Sequence, residues 1–287
     1  MNLANIYTLQ QPDEPLPLIF DSPHSGTIYP EDFQYSCDFK LLEQAEDKYV
    51  DELFASAPNY DATLLCAEFP RTYIDVNRAI DDVDPALLSE LWPEEYGSIN
   101  PSNRSDAGIG LIRRLIVPNM PVYTEKLMPK EIKSRIDTYY APYHAALKQL
   151  IEEYHKKHKQ VWHINCHSMP SGLVKNKFSR INPAQGPDFV LGNRDGTTCS
   201  IEFTHFIRDI LTEFGYKVAI NDPYKGVELV KRYSSPAVGI HSIQIEISRK
   251  LYMDEETCEK NKGFKGLKQD INALIKKLRT YIKENTP

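Results

Sequence analysis

Two histidines, a few carboxylates and a pair of arginines are the residues whose types and spacing could do chemistry in this sequence. His24 lies in Asp21-Ser22-Pro23-His24-Ser25-Gly26 and His167 in Cys166-His167-Ser168-Met169-Pro170. A catalytic zinc site needs about three protein ligands, usually histidine with one carboxylate, and an open position for water. His24, His167 and one acidic residue would satisfy that requirement. Either histidine alone carries little weight, because a histidine beside a strand is more often a hydrogen-bonded structural residue. The small and turn-forming neighbours of both would leave the imidazoles reachable at strand ends. Glu246 sits in Ile243-Gln244-Ile245-Glu246-Ile247-Ser248-Arg249. A carboxylate in so apolar a run must be paired, solvated in a cleft or chemically useful; the plain alternative is an ion pair with Arg249 or a charge on a half-exposed sheet face. Arg71 and Arg78 bracket Tyr73, Asp75 and Asn77. One reading is a structural salt bridge between Asp75 and either arginine. The other is a guanidinium held by Asp75 and presented to a substrate carboxylate, whose two oxygens match the arginine fork.

The elements that must position these residues alternate between strand and helix, which predicts an α/β protein. Residues 16–20 form a short apolar run that ends in the turn-rich segment holding His24, so this histidine is expected just past the end of a buried strand. Ligand sites of open α/β sheets lie at such ends. Residues 41–57 read as a helix through Leu42, Ala45, Tyr49 and Leu53, with Asp47 and Asp51 one turn apart on the face of Val50 and Phe54. Strands are expected over 63–68 and 72–76, the second leading into Asn77-Arg78. The stretch 79–120 is rich in Asp, Pro, Gly, Asn and Ser and has no sustained period; it reads as a long surface excursion that could form a lid or binding wall. Helical spacing returns over 131–158, with Pro142 as a kink or break and His144 just after it. A strand over 160–165 runs into His167. A strand at 188–191, a helix at 199–214 closed by Gly215 and a strand at 216–220 follow. Alternation of Ile243, Ile245 and Ile247 with Gln244, Glu246 and Ser248 then sets Glu246 on the face opposite the isoleucines. Residues 259–284 form an amphipathic helix.

Composition narrows the function classes. The chain has 287 residues, 41% of them hydrophobic, enough for one large domain over 1–287 with a well-buried core. Its formal net charge of -6 gives no global positive field, so nucleic acid and anionic membranes are not expected partners. The opening residues have neither a basic nor a long apolar signal region, and no window reaches the ~18 apolar residues of a membrane span. Five scattered cysteines without a CxxC pair fit reduced thiols, hence a cytoplasmic protein. Oligomeric state is not readable from these residues.

Several spaced blocks in order then make the sequence recognisable. Ser22-Pro23-His24-Ser25-Gly26, Glu46-Asp47 with Val50-Asp51-Glu52-Leu53-Phe54, the segment 71–78, Pro142-Tyr143-His144, Cys166-His167-Ser168-Met169-Pro170, Leu191-Gly192 with Asp195-Gly196, and Gln244-Ile245-Glu246-Ile247 with Leu251-Tyr252-Met253 resemble the N-formylglutamate amidohydrolase family over nearly the whole chain. The family is similar in fold to the zinc carboxypeptidases and the succinylglutamate desuccinylase and aspartoacylase group. That likeness implies a three-layer α/β/α domain with a mixed central sheet and one zinc. The resemblance makes His24 and His167 metal ligands and Glu246 the base that activates water. It implies that Asn77 and Arg78 bind a substrate carboxylate, that His144 is among the substrate-binding residues, and that Arg71 polarises the scissile carbonyl, a role for which Arg78 and Arg113 also stand as candidates. Two departures matter. Thr27 occupies the position three residues after the first histidine where carboxypeptidases place their metal carboxylate, so the acidic ligand must come from elsewhere, with Asp47 the choice and Asp51 the second candidate. Asn165 stands where many relatives carry Asp, which weakens a supporting role for that position. The expected activity is zinc-dependent hydrolysis of an N-acyl amino acid, N-formyl-L-glutamate above all. A peptidase or deacylase with another substrate is the alternative, and a non-catalytic binder of the same fold a third reading.

Overall fold

The computed structural model describes residues 6–171 and 186–286, which form two compact units. One holds residues 6–8, 23–46 and 66–147, the other residues 9–22, 47–65, 148–171 and 186–286. Among the described residues the strands are, in chain order, β1 (Tyr7–Gln10), β2 (Leu18–Ser22), β3 (Thr63–Ala67), β4 (Leu115–Val117), β5 (Met120–Pro121), β6 (Val161–Met169), β7 (Phe189–Gly192), β8 (Val218–Ile220) and β9 (Ile240–Ser248). Seven of them make one sheet in the order β1-β3-β2-β6-β9-β7-β8. Pairing is parallel between β2 and β6, β6 and β9, and β7 and β8, and antiparallel between β7 and β9. The central sheet is therefore mixed and the class is α/β.

In the second unit, β2, β6 and β7 are fully buried and β9 nearly so, and helices Ile201–Glu213 and Phe264–Asn285 turn apolar faces inward. The last of these falls on the amphipathic stretch expected at 259–284, starting five residues later and ending one residue beyond it. Gly215, at φ +91°, closes the helix before it, a left-handed position where glycine has no side-chain penalty. β6 runs on to Met169 rather than stopping near 165, so His167 stands inside the strand, not past its end.

Two other local expectations are corrected. The helix read over 41–57 is two short helices, Phe39–Ala45 and Val50–Phe54, because Tyr49 takes a left-handed backbone at φ 67° that no α-helix accommodates. Its hydroxyl donates to the Cys258 carbonyl at 2.9 Å, a tertiary bond that spacing cannot reveal. Asp47 thus lies in the break, while Asp51 remains in a first helical turn, where a carboxylate complements the dipole. Residues 72–76 are not a strand but a chain of turns, whose polar side chains bond back to their own backbone and to neighbouring loops.

In the first unit the expected interruption at Pro142 takes the form of a π-turn, Ile136–Tyr140, joining helix Pro129–Arg135 to helix Ala141–His158. Proline has no N–H to donate, so a widened turn just before it loses nothing further. The excursion at 79–120 folds around Asp82, whose carboxylate accepts from Ser102 N and Oγ and from Ser105 Oγ. Among the described residues no helix is long and apolar enough to cross a membrane.

Candidate functional site

The chain leaves β2 at Ser22, and His24 follows two residues later, as the apolar run and the turn predict. The turn is pinned at Gly26. A Cβ there would lie 2.3 Å from the Glu68 carbonyl carbon and 2.5 Å from the Phe69 oxygen, so only glycine permits the approach. His24 is buried, and its Nε2 lies 2.7 Å from Asp75 Oδ1. The carboxylate accepts, so the ring proton sits on Nε2 and Nδ1 carries the lone pair.

Asp75 is the hub of the first unit's polar residues. Its Oδ1 also accepts from the Asn77 backbone N–H at 2.9 Å, its Oδ2 from Arg71 Nη2 at 2.9 Å, and Arg78 Nη2 stands 3.7 Å from Oδ2. Burial pushes the Asp75 carboxyl up, but the charges of Arg78 and Arg71 and the hydrogen bond from His24 outweigh it and hold the group well below its ordinary value. Arg78 donates from Nε to the Ile109 carbonyl at 3.1 Å and from Nη1 to the Asn77 carbonyl at 2.9 Å, and Tyr140 donates to the Arg78 carbonyl at 2.9 Å. Burial draws both Arg78 and Arg113 down to about 10, still fully charged at neutral pH. His144 stacks on Tyr140 at 4.0 Å, and its Nε2 donates to the Val76 carbonyl at 2.8 Å. It therefore braces the backbone that carries Asn77 and Arg78. Glu46, not singled out beyond its place beside Asp47, is fully buried, accepting from Thr72 Oγ1 at 2.9 Å and from the Arg71 backbone at 3.2 Å. Burial raises it to about 8 despite those bonds, so it is mostly protonated at neutral pH. Three arginines facing Asp75 and this neutral acid leave the first unit's cluster with net positive charge, suited to anionic groups.

The second unit builds its polar residues on strands. His163, Asn165 and His167 alternate along β6 and so share one face of the sheet. In register beside them stand Asp21 opposite Asn165 on β2, and Ser242, Gln244 and Glu246 opposite His163, Asn165 and His167 on β9. Glu246 is thus the direct strand neighbour of His167, on the face away from the isoleucines as alternation predicts. Gln244 Nε2 donates to Glu246 Oε1 at 2.7 Å. His167 Nε2 lies 2.7 Å from Asn165 Oδ1, and its Nδ1 3.0 Å from Asp47 Oδ2. Asn165 therefore does support His167, contrary to the weakening expected from its lacking a charge. Arg249, expected as a possible partner of Glu246, reaches Asp47 Oδ1 at 3.0 Å through Nη2 and Ser168 Oγ at 3.0 Å through Nε. Nothing in the spacing of Arg249 marked it as the group that orients Asp47.

Donor chemistry favours a metal. Both rings meet an acceptor at Nε2, and Nδ1 of His167 also faces a carboxylate oxygen, an arrangement that either a second ring proton or a cation satisfies. Among the described residues, the buried side chains of His24, Asp47 and His167 are a set that could bind a metal ion. Two imidazoles and one carboxylate are the ligand types and number of a catalytic zinc site.

The sequence profile of the N-formylglutamate amidohydrolase family matches residues 16–253. The crystal structure of N-formylglutamate amidohydrolase from Ralstonia eutropha is similar at 43% identity and a TM-score of 0.92, over 98% of this chain and 99% of that one. The N-formylglutamate deformylase of Pseudomonas putida is 25% identical over 84% of this chain and 83% of its own length. A gene product of Agrobacterium tumefaciens, at 15% identity and a TM-score of 0.69 over 98% of this chain and 95% of its own, shares the fold.

Proposed function

The chain belongs to the N-formylglutamate amidohydrolase family, and from that premise we propose that it hydrolyses the amide of an N-acyl amino acid, N-formyl-L-glutamate to formate and L-glutamate, using zinc held by His24, Asp47 and His167. The observation that carries the reading is the matched state of the two histidines, each locked at Nε2 so that Nδ1 is the ligand nitrogen. A zinc ion there would supply a Lewis acid for the amide carbonyl and lower the pKa of a coordinated water to about 7.

The chain's own residues do the rest. Glu246, with Oε1 accepting from Gln244, takes a proton from the attacking water at Oε2 and returns it to the amine nitrogen as the C–N bond breaks. Formate leaves with the water oxygen and glutamate with the proton. Arg249 fixes Asp47, and Ser168 fixes Arg249. On the recognition side, Asn77 and Arg78 bind the α-carboxylate, with His144 holding their backbone, and Arg71, oriented by Asp75, polarises the scissile carbonyl. N-formylglutamate carries two carboxylates, and a cluster with three arginines meets that charge.

The test is direct. Purified chain should contain about one zinc and release formate and glutamate in equal amounts from N-formyl-L-glutamate, with slower turnover of N-acetyl and neutral-side-chain analogues. Fully zinc-loaded chain that frees no amine from any N-acyl amino acid would exclude the proposal.

A further inference from the structure

The two candidate metal histidines are not held alike. His24 donates straight to a carboxylate, Asp75. Behind His167 stands the neutral amide of Asn165, and the charge lies one residue further back. Asn165 Nδ2 donates to Asp21 Oδ1 at 2.9 Å, and His163 Nε2 donates to the same oxygen at 2.7 Å. His163 Nδ1 in turn accepts from Ser242 Oγ at 2.7 Å. Asp21, His163, Asn165 and Ser242 have no exposed surface at all.

Every direction in this chain of bonds follows from its one member that, as a carboxylate, can only accept. Asp21 demands a proton from His163 Nε2 and an N–H from Asn165, and the second demand decides which end of the amide faces His167. The amide oxygen then takes the His167 Nε2 proton, and the lone pair is left on Nδ1, toward Asp47. We propose that Asp21 is the positioning residue of His167, setting its tautomer through Asn165 and thereby its readiness for metal, with His163 and Ser242 holding Asp21. This rests on the reading of His167 as a ligand. Were Asp21 an amide, Asn165 could turn its NH2 toward the ring, and the His167 proton would move to Nδ1, the nitrogen meant for the metal.

The arrangement also explains why position 165 carries no charge. A carboxylate there would face Asp21 across 2.9 Å of buried space. One negative charge is accommodated, at 21 or at 165, and not at both.

The experiment uses the full-length chain stripped of metal, with two readouts. Nitrogen-15 spectra of labelled histidine should show a proton held on His167 Nε2 in the native chain and partly lost from it in Asp21→Asn. Zinc affinity, from competition with a chromogenic chelator, should fall about 10–100-fold in Asp21→Asn and in Asn165→Asp. The double variant Asp21→Asn with Asn165→Asp, which moves the charge directly behind His167, should recover to within a few-fold of native. Thermal unfolding of each metal-free variant identifies any that fail to fold, and the double variant still decides the matter. An unchanged His167 tautomer in Asp21→Asn, or a double variant whose loss is the sum of the singles, would overturn the inference. A native chain with the stated tautomer that takes up no zinc would instead overturn the metal reading and leave the Asp21 assignment standing.

Discussion

His24 stands on a loop of the first unit with a carboxylate directly behind it, whereas His167 stands inside a strand of the second with an amide behind it and a carboxylate beyond. The loop region is crowded with charge. Asp75 serves His24, Arg71 and Arg78 at once, so orientation of a candidate ligand and presentation of the guanidiniums depend on one side chain. In the strand region the pleat has already aligned His163, Asn165 and His167 on one face, and the buried Asp21 carboxylate accepts from the first two at once. A regular scaffold needs few polar contacts to fix a side chain; an irregular one must supply the order through ion pairs. Substitutions should therefore spread their effects in the first unit and confine them in the second.

The largest effect is expected where the regions are equal. His24→Ala and His167→Ala should each empty the metal site and abolish turnover, since loss of one of three ligands breaks a catalytic zinc centre. Metal analysis showing either variant fully loaded would remove that histidine from the ligand set.

Next comes Asp75→Asn, which sharpens the contrast. Removing the hub leaves buried arginines without their counter-charge, at a cost of about 3–5 kcal/mol of stability, and should weaken metal and substrate binding together. Linkage adds a pH signature. The folded Asp75 carboxyl lies well below its ordinary 3.8, so its contribution is fully present above that value and is lost as pH falls below it. The variant should lose that part of the acid limb in a urea titration at several pH values. Asp75→Asn that impaired metal uptake alone would mean the loop region is no more coupled than the strand region.

Arg78→Ala should loosen the turn that its bond to Ile109 pins and, beyond that, cost about 2–5 kcal/mol in binding substrates with a free α-carboxylate and far less for the corresponding amides. Equal losses in kcat/KM on both would make Arg78 a structural residue. The smallest effect is expected at Asp51, the second candidate ligand, which lies in a first helical turn. Asp51→Asn should keep its metal, since Asp51 lies outside the His24, Asp47 and His167 set, and should lower thermal stability less than Asp75→Asn does.

The same contrast governs what the sequence discloses. Alternation over 243–248 set Glu246 opposite the isoleucines, and the run before His24 marked a strand end, because a period of two is written in neighbouring residues. Position 71–78 misled, since Thr, Tyr, Ile and Val favour strands while the backbone there is turned by Asp75 accepting from Asn77 and by Arg78 reaching Ile109. Residue type and resemblance single out Asp47 as a candidate, but the spacing reads as one unbroken helix, because the partner of the Tyr49 hydroxyl is residue 258. Asn165 reads as a weak support for want of a charge, while its hydrogen-bond partner Asp21 is 144 residues away in sequence and adjacent in the sheet.

In the proposed division of labour, His24, Asp47 and His167 hold the metal and Glu246 moves the proton. Glu246→Gln tests it most directly, because the amide keeps the shape of the side chain and cannot accept a proton. Zinc content and steady-state turnover of N-formyl-L-glutamate should be measured on the same preparation. The expected result is undiminished zinc with kcat lower by about 10²–10⁴. Loss of zinc would make Glu246 a ligand and displace Asp47, and near-native turnover would contradict the mechanism outright.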